Sequence, residues 1–286
     1  MNSELFSGKT PKVRSSEPVR VVLFQQELPV KSIPLSLAYL GAVLENDNCE
    51  VKIINAAAPY ASWPVHKLKA ELQRFKPHIF GITLSTPFAR LGYRILKALG
   101  NTPSLLVAGG PHATLRPEEV LNQGIDVAVI GEGELTLRDL VSFVRGDLPL
   151  CDIPGICYRN QRGIPIRTLP RNFVEDLDSL PFPARHLLRL EDYVRAPEES
   201  VRFGQVISSR GCPFGCAYCS NAVFGRRYRF RSAENVFLEL KKVNKEFGVT
   251  HFNFVDDVFT LSRERVIKLC NLIIGDPALN ITWSCL

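Results

Sequence analysis

Five short apolar runs, at residues 19–24, 51–55, 79–83, 105–108 and 127–130, alternate with five segments of helical spacing, at residues 35–46, 65–75, 88–99, 118–123 and 134–144. That alternation constrains the fold more than any other feature. Strands joined through helices lie parallel, and the helices must cover both faces of the sheet they connect. The first half of the chain is therefore predicted to be α/β, a doubly wound parallel five-stranded sheet. Such sheets bind ligands outside the carboxyl ends of their strands.

The unusual residues fall at those ends. Thr83-Leu-Ser85-Thr86 follows the third run, Gly109-Gly110-Pro-His112-Ala-Thr114 the fourth, and Gly131-Glu132-Gly133-Glu134 the fifth. Glycine lets the backbone approach a ligand closely, and hydroxyls bond polar groups on a ligand's edge. The same residues also suit tight turns entering helices, so composition leaves both readings open.

Beyond residue 146 the pattern changes. Residues 155–159 and 164–168, split by Asn160-Gln-Arg-Gly163, predict a small hairpin. Leu180-Pro-Phe-Pro183 and Ala196-Pro-Glu-Glu199 read as a linker. A second βαβαβ series follows: strand 205–208, helix 232–247 with Ser232 as N-cap, strand 251–255, helix 262–274 and strand 281–285. The expected organisation is a disordered segment at 1–18, a first domain at 19–146, a hairpin and linker at 147–200, and a second domain at 201–286.

Between the strand at 205–208 and the helix at 232 lies Ser209-Arg-Gly-Cys212-Pro-Phe-Gly-Cys216-Ala-Tyr218-Cys219. Thiolates are the usual ligands of iron–sulfur clusters, and a 4Fe–4S cluster normally takes four of them. Three leave one iron open to a small molecule. Structural zinc is the alternative and needs a fourth ligand from afar, such as Cys270 or His251. Downstream, Asp256 and Asp257 end the strand at 251–255. They read either as acceptors for an ammonium group on the rim of the cysteine loop or as caps for the helix starting near Ser262.

Composition excludes little, but it sets bounds. A length of 286 residues, 45% hydrophobic and 22% charged, is that of a globular chain with real cores. No apolar run is long enough to cross a bilayer, and the polar N-terminus lacks a signal core, so a cytoplasmic location is expected. The net charge of +6 invites a nucleic-acid partner. The densest basic run, residues 226–231, sits beside the cysteines, so anionic groups of a cofactor or substrate are expected there and nucleic acid is not. Cys49, Cys151, Cys157, Cys270 and Cys285 are scattered and read as small packing residues.

Taken together these segments resemble radical S-adenosylmethionine (SAM) proteins with a cobalamin (B12)-binding domain ahead of the SAM domain, a group that includes radical methyltransferases and anaerobic magnesium-protoporphyrin ester cyclases. Cys212-Pro-Phe-Gly-Cys216-Ala-Tyr-Cys219 resembles the cluster motif. Pro34-Leu-Ser-Leu-Ala-Tyr-Leu-Gly-Ala-Val-Leu44, Gly109-Gly-Pro-His-Ala-Thr114 with Pro117-Glu-Glu119, and Gly131-Glu-Gly-Glu134 resemble the B12-binding part. Leu180-Pro-Phe-Pro183, Arg229-Phe-Arg-Ser232 and Phe254-Val-Asp-Asp257 resemble the linker and the segments after the cluster motif.

The resemblance implies a flavodoxin-like cobalamin-binding fold followed by the first part of a partial (β/α) barrel. It implies that Cys212, Cys216 and Cys219 hold a 4Fe–4S cluster whose open iron binds SAM, and that Tyr218, Asp256 and Asp257 contact SAM. It also implies that Ser85, Thr86, Gly109, Gly110, His112, Thr114, Gly131, Glu132 and Gly133 cradle cobalamin. No Asp-x-His-x-x-Gly motif is present, so no histidine is assigned to cobalt, and a hydrogen-bonding role is expected for His112. Arg229 and Arg231 read either as contacts to polar groups or as surface cations. The implied partners are a small-molecule substrate and an electron donor such as a flavodoxin or ferredoxin. By this comparison the chain ends in mid-barrel. It is expected to be truncated; pairing with a second chain that completes the barrel, or degeneration, are the other readings.

Overall fold

The computed structural model describes residues 6–8, 11, 13, 17–26, 28, 33–58, 62–189 and 203–285. The chain divides into two compact units. One comprises residues 1–173 and 183–189, the other residues 174–182 and 190–286. The linker expected at 196–199 and the second domain's expected start at 201 lie outside the described residues.

In the first unit the elements run β1 (Val19–Gln25), α1 (Leu35–Glu45), β2 (Cys49–Asn55), α2 (Val65–Phe75), β3 (Ile79–Thr83), α3 (Ala89–Leu99), β4 (Leu105–Gly109), α4 (Pro111–Leu115), α5 (Pro117–Leu121), β5 (Val127–Val129) and α6 (Glu134–Arg145). A hairpin of β6 (Ile156–Arg159) and β7 (Pro165–Arg167) follows. The sheet order is β2-β1-β3-β4-β5-β6-β7. The first five strands are parallel, and the hairpin extends them antiparallel through Val127 opposite Tyr158. The five expected strands are thus joined by two more, because β6 buries Ile156, Cys157 and Tyr158 against β5 instead of standing apart.

Alternate residues of each central strand feed two cores. Val21, Leu23, Ile79 and Val107 pack under α1 and α6, against Leu37, Leu44, Leu137 and Val141. Val22, Phe24, Phe80 and Ala108 pack under α2, α3 and α5, against Leu68, Leu96 and Val120. Burial on both faces is what makes these strands read as near-continuous apolar runs. Phe6, within the segment expected to be disordered, meets Phe143 and Tyr158 edge-on and forms an isolated bridge with Asn160. An aromatic ring in a polar stretch finds apolar cover there.

The second unit holds β8 (Phe203–Val206), β9 (Ser209–Arg210), β10 (Arg229–Phe230), α7 (Ala233–Phe247), β11 (His251–Phe254), α8 (Arg263–Ile274) and β12 (Thr282–Ser284). Strands β12, β11 and β8 form a parallel sheet in that order, and β9 pairs antiparallel with β10. Val206, Phe252, Phe254 and Trp283 face α7 and α8. The other face is polar: His251 bonds Thr282 (2.7 Å) and Ser284 (3.3 Å), and the Ser284 hydroxyl donates to Asn253 Oδ1 (3.2 Å). Ser232 caps α7 as expected, its hydroxyl accepting from the Asn235 N–H at 3.1 Å. Among the described residues no helix is long and apolar enough to cross a membrane.

Candidate functional site

In the first unit the order β2-β1-β3-β4-β5 reverses between β1 and β3, and sheets of this kind take ligands at the carboxyl ends of the strands beside such a reversal. The residues singled out from sequence line this rim. Ser85 and Thr86 follow β3, Gly109 to Thr114 end β4 and form α4, and Gly131 to Gly133 follow β5. The rim is knitted by backbone bonds: the Leu84 N–H donates to the Gly109 carbonyl (2.9 Å), and the His112 N–H to the Leu84 carbonyl (3.0 Å). Gly110 has φ +91°, and a Cβ there would lie 2.9 Å from both the Leu84 carbonyl oxygen and Thr83 Oγ1. Only glycine fits without displacing that backbone. The Gly131 N–H donates to Thr114 Oγ1 at 3.1 Å, joining the turns after β4 and β5.

His112 is buried, and both ring nitrogens are engaged. Nδ1 lies 3.3 Å from Thr86 Oγ1, and Nε2 lies 2.8 Å from the Tyr93 hydroxyl and 3.5 Å from Glu119. Burial, with the Glu119 charge nearby, pushes the Tyr93 phenol up to about 12, so it stays protonated. The ring therefore holds the rim together and does not aim at a metal. Glu132 and Glu134 are buried, and the Thr136 hydroxyl donates to the Glu132 carbonyl at 3.3 Å.

Two observations bear on whether a large flat ligand such as cobalamin fits. A Cβ on Gly109 would meet nothing nearer than Val129 Cβ at 4.0 Å, so the backbone at the end of β4 is open. At the end of β1, Gln26 is buried with Nε2 donating to the Phe88 carbonyl (2.7 Å) while Oε1 has no partner. The open backbone at Gly109 fits a ligand approaching the end of β4, whereas the unpaired Gln26 oxygen is packed against Gly92 of α3.

In the second unit, β9 and β10 pair Arg210 with Arg229 and close a loop over residues 211–228. Gly211, at φ +84°, lets the two feet approach: a Cβ there would lie 2.3 Å from the Arg227 carbonyl oxygen. Within the loop Asn221 Nδ2 donates to the Cys212 carbonyl (3.0 Å), and the Cys219 N–H to the Cys216 carbonyl (3.1 Å). Cys212 is half-buried, Cys216 and Cys219 are exposed, and all three are free thiols. Tyr218 is 94% exposed. Among the described residues no three His, Cys, Asp or Glu side chains converge into a ready-made metal cage. The donor set still fits an iron–sulfur cluster by its chemistry: three accessible thiols on one short loop, with no disulfide among them. Of the two distant residues weighed for zinc, His251 is engaged with Thr282 and Ser284.

The twin acids part company. Asp256 is buried; Oδ1 accepts the Ser208 N–H (2.7 Å), and Oδ2 accepts the hydroxyls of Ser208 (2.5 Å) and Ser209 (2.7 Å). Asp257 is exposed. Neither cap expected at the next helix forms through these acids, because a short turn at Phe259–Leu261 intervenes before α8. The surface-cation reading of Arg229 and Arg231 fails. Arg231 is buried against Glu239 and donates to the Ile207 carbonyl (2.9 Å) and Asn235 Oδ1 (2.7 Å), and Arg229 donates to the Val174 carbonyl (2.7 Å). Only Arg226 and Arg227 of that basic run are exposed arginines, and Arg227 pairs with Glu175 (2.5 Å). Sequence reasoning also missed Arg265, whose signal was a cation in the first turn of α8, where the helix dipole disfavours it.

Comparison with known proteins agrees with this division. The B12 binding domain family matches residues 25–141, and the radical SAM superfamily matches residues 206–285. An uncharacterised methyltransferase of Pyrococcus horikoshii is 35% identical over 256 residues, covering 88% of this chain and 54% of its own. The anaerobic magnesium-protoporphyrin IX monomethyl ester cyclase of Cereibacter sphaeroides is 32% identical over 250 residues, 85% of this chain and 40% of its own. The cobalamin-dependent SAM radical enzyme OxsB, solved with aqua-cobalamin bound, superposes with a TM-score of 0.79 at 21% identity, over 93% of this chain and 38% of that one. The SAM methyltransferase TsrM of Kitasatospora setae, solved with cobalamin and a [4Fe-4S] cluster, gives 0.70 at 21% identity, over 92% of this chain and 53% of that one. The chain thus spans about half the length, or less, of these relatives.

Proposed function

We propose, because the chain belongs to the radical SAM proteins that carry a B12-binding domain, that it provides the cofactor-binding part of a cobalamin-dependent radical SAM enzyme acting on a small molecule by methyl transfer or cyclisation. The observation that carries this reading is the cysteine loop, three free thiols between paired strands in the segment matched to the radical SAM superfamily. When bound, a 4Fe–4S cluster supplies the electron that cleaves SAM, and cobalamin supplies methyl-group chemistry.

The protein's share is placement. Cys212, Cys216 and Cys219 would ligate three irons, the loop drawing its sulfurs together as the cluster assembles. The exposed carboxylate of Asp257 suits the SAM ammonium, and the exposed ring of Tyr218 offers a face to the adenosyl group. On the other unit, Ser85, Thr86, Gly109, Gly110, Thr114 and Gly131 to Gly133 would border the corrin and its tail, with His112 fixing Thr86 from behind. A flavodoxin or ferredoxin is the class of donor that such an electron demand implies.

Anaerobic reconstitution with iron and sulfide tests the reading. An iron–sulfur absorption band present in the native chain and lost in Cys216→Ala is expected, with 5′-deoxyadenosine released on adding SAM and a reductant. Stoichiometric zinc with no such band would sink it. Hydroxocobalamin retained through gel filtration is expected from the first unit, and its loss would remove cobalamin from the proposal.

A further inference from the structure

The two feet of the cysteine loop are held from beneath by a buried ion pair. Ser208 and Ser209 form the entry foot and Tyr228 to Phe230 the exit foot. Asp256, at the end of β11, takes three hydrogen bonds from the entry foot through its two oxygens. Arg265, on α8, lies 3.9 Å from that carboxylate, with both side chains almost wholly buried. Its Nη1 donates to the Ser208 hydroxyl at 2.7 Å, and its Nη2 to the Phe259 carbonyl (2.9 Å) and the Tyr228 hydroxyl (3.4 Å). Its guanidinium also lies 5.7 Å from the Phe230 ring centre and 5.2 Å from that of Phe259. The Ser208 hydroxyl thus passes a proton bond to Asp256 while accepting one from Arg265. One acid and one base grip both ends of a loop whose cysteines are otherwise accessible.

We infer that Asp256 and Arg265 are positioning residues for the cysteine loop, so that the adjacent acids have split duties: Asp256 holds the loop that retains the cluster, and Asp257 alone is left for the ligand. This rests on the proposed cluster-binding function. The chemistry favours the split. A carboxylate that accepts three hydrogen bonds, lies beside a guanidinium and is almost wholly buried presents no exposed oxygen to a SAM ammonium. The loop's internal bonds, among them Gly225 N–H to the Asn221 carbonyl (2.9 Å) and Asn221 Nδ2 to the Cys212 carbonyl (3.0 Å), order it within itself, while its feet seat it on the sheet. Arg265 in the first turn of α8 opposes the helix dipole, a cost that a buried acid partner offsets.

The test uses the intact 286-residue chain, reconstituted anaerobically. Iron loss to a chelator, apo-chain thermal unfolding, and the SAM-induced change in the EPR spectrum of the reduced cluster are measured together. Asp256→Asn and Ser209→Ala are each expected to speed iron loss by about tenfold or more. The double variant should lose iron little faster than Asp256→Asn alone, since both act through one contact. SAM should still perturb the residual cluster signal in Asp256→Asn at the native SAM concentration. Asp257→Asn should show the reverse pattern, native iron retention with a weakened response to SAM. The inference is overturned if Asp256→Asn holds iron as the native chain does while losing the SAM response, or if the Asp256 and Ser209 effects multiply. Should Asp256→Asn fail to fold, Arg265→Lys keeps the charge but loses the forked contacts, and native iron retention in it would overturn the clamp. A native chain that takes up no cluster at all would instead refute the proposed function; the clamp is then read from proteolysis within residues 211–228, faster in Asp256→Asn if it holds and unchanged if it does not.

Discussion

The parallel strands of the two sheets share a connection rule but differ in how their faces and rims are finished. Strands β1 to β5 are covered by helices on both sides, and the turns at their carboxyl ends are tied to one another by backbone bonds and by His112. Strands β8, β11 and β12 bury one face under α7 and α8 and turn a row of His251, Asn253, Thr282 and Ser284 the other way. Their rim carries a loop of accessible thiols fixed at its feet by buried charges. The first rim is shaped by main-chain geometry before any ligand arrives; the second spends its order on anchoring the loop's ends and leaves the thiol sulfurs to be gathered. A large rigid ligand suits the first, and a cluster assembled in place suits the second.

The comparison is broken most severely at Arg231. This side chain sits beside the exit foot of the loop, buried with Glu239, which is itself buried. Removing one partner of a buried pair strands the other, at a cost of about 3–5 kcal/mol. Arg231→Met should therefore lower the urea midpoint of the second unit sharply, followed by the fluorescence of Trp283 in a Trp63→Phe background, and leave protection of the first unit's amides unchanged in hydrogen exchange. Equal loss in both units would show that the sheets do not fold as separate bodies.

On the other rim the corresponding change is Gly110→Ala. It places a Cβ 2.9 Å from the Leu84 carbonyl oxygen at φ +91°. A non-glycine residue held in that region costs about 1–3 kcal/mol before any backbone shift is counted. A fall in thermal stability accompanied by loss of hydroxocobalamin retention is expected, with the cluster band untouched. If Gly110→Ala is as stable as the native chain, the rim is not the rigid frame described above.

What the sequence disclosed follows the same division. The strands of the first unit were legible because double burial writes an unbroken apolar run, and their glycine-rich ends because a chain cannot turn so tightly with side chains there. The cysteine loop was legible because its spacing is chemical. The clamp beneath it was not. Asp256 and Asp257 are adjacent and identical in kind, and nothing local says that one faces Ser208 while the other faces solvent; that depends on a register between strands roughly fifty residues apart. The arginines at 229 and 231 stayed open between polar contacts and surface cations for the same reason, since their partners, the Val174 carbonyl and the buried Glu239, are fixed by tertiary contacts. The hairpin's junction with β5 was equally silent, because antiparallel addition at a sheet edge needs no special residue.

The smallest effect sharpens the comparison at that edge. Arg167 on β7 donates to Glu118 on α5 at 2.5 Å and 2.8 Å, with both side chains largely exposed. The hydrogen bonds from Arg167 hold the Glu118 carboxyl below its ordinary value of 4.5. A depressed folded value means that the unfolded chain takes up the proton first. The pair's contribution is therefore complete above about pH 4.5 and fades as the pH falls through the lower folded value. Exposure and salt screening keep it to about 0.2–1 kcal/mol. Arg167→Ala should lower the unfolding midpoint slightly at pH 7 in low salt, and the difference from the native chain should shrink in 1 M salt. The difference should also disappear as acid protonates Glu118. A large or salt-insensitive loss would mean that the β6–β7 hairpin is held to the sheet by this pair and not by the buried side chains of β6. The first unit would then depend on an ion pair at its edge as the second does at its loop.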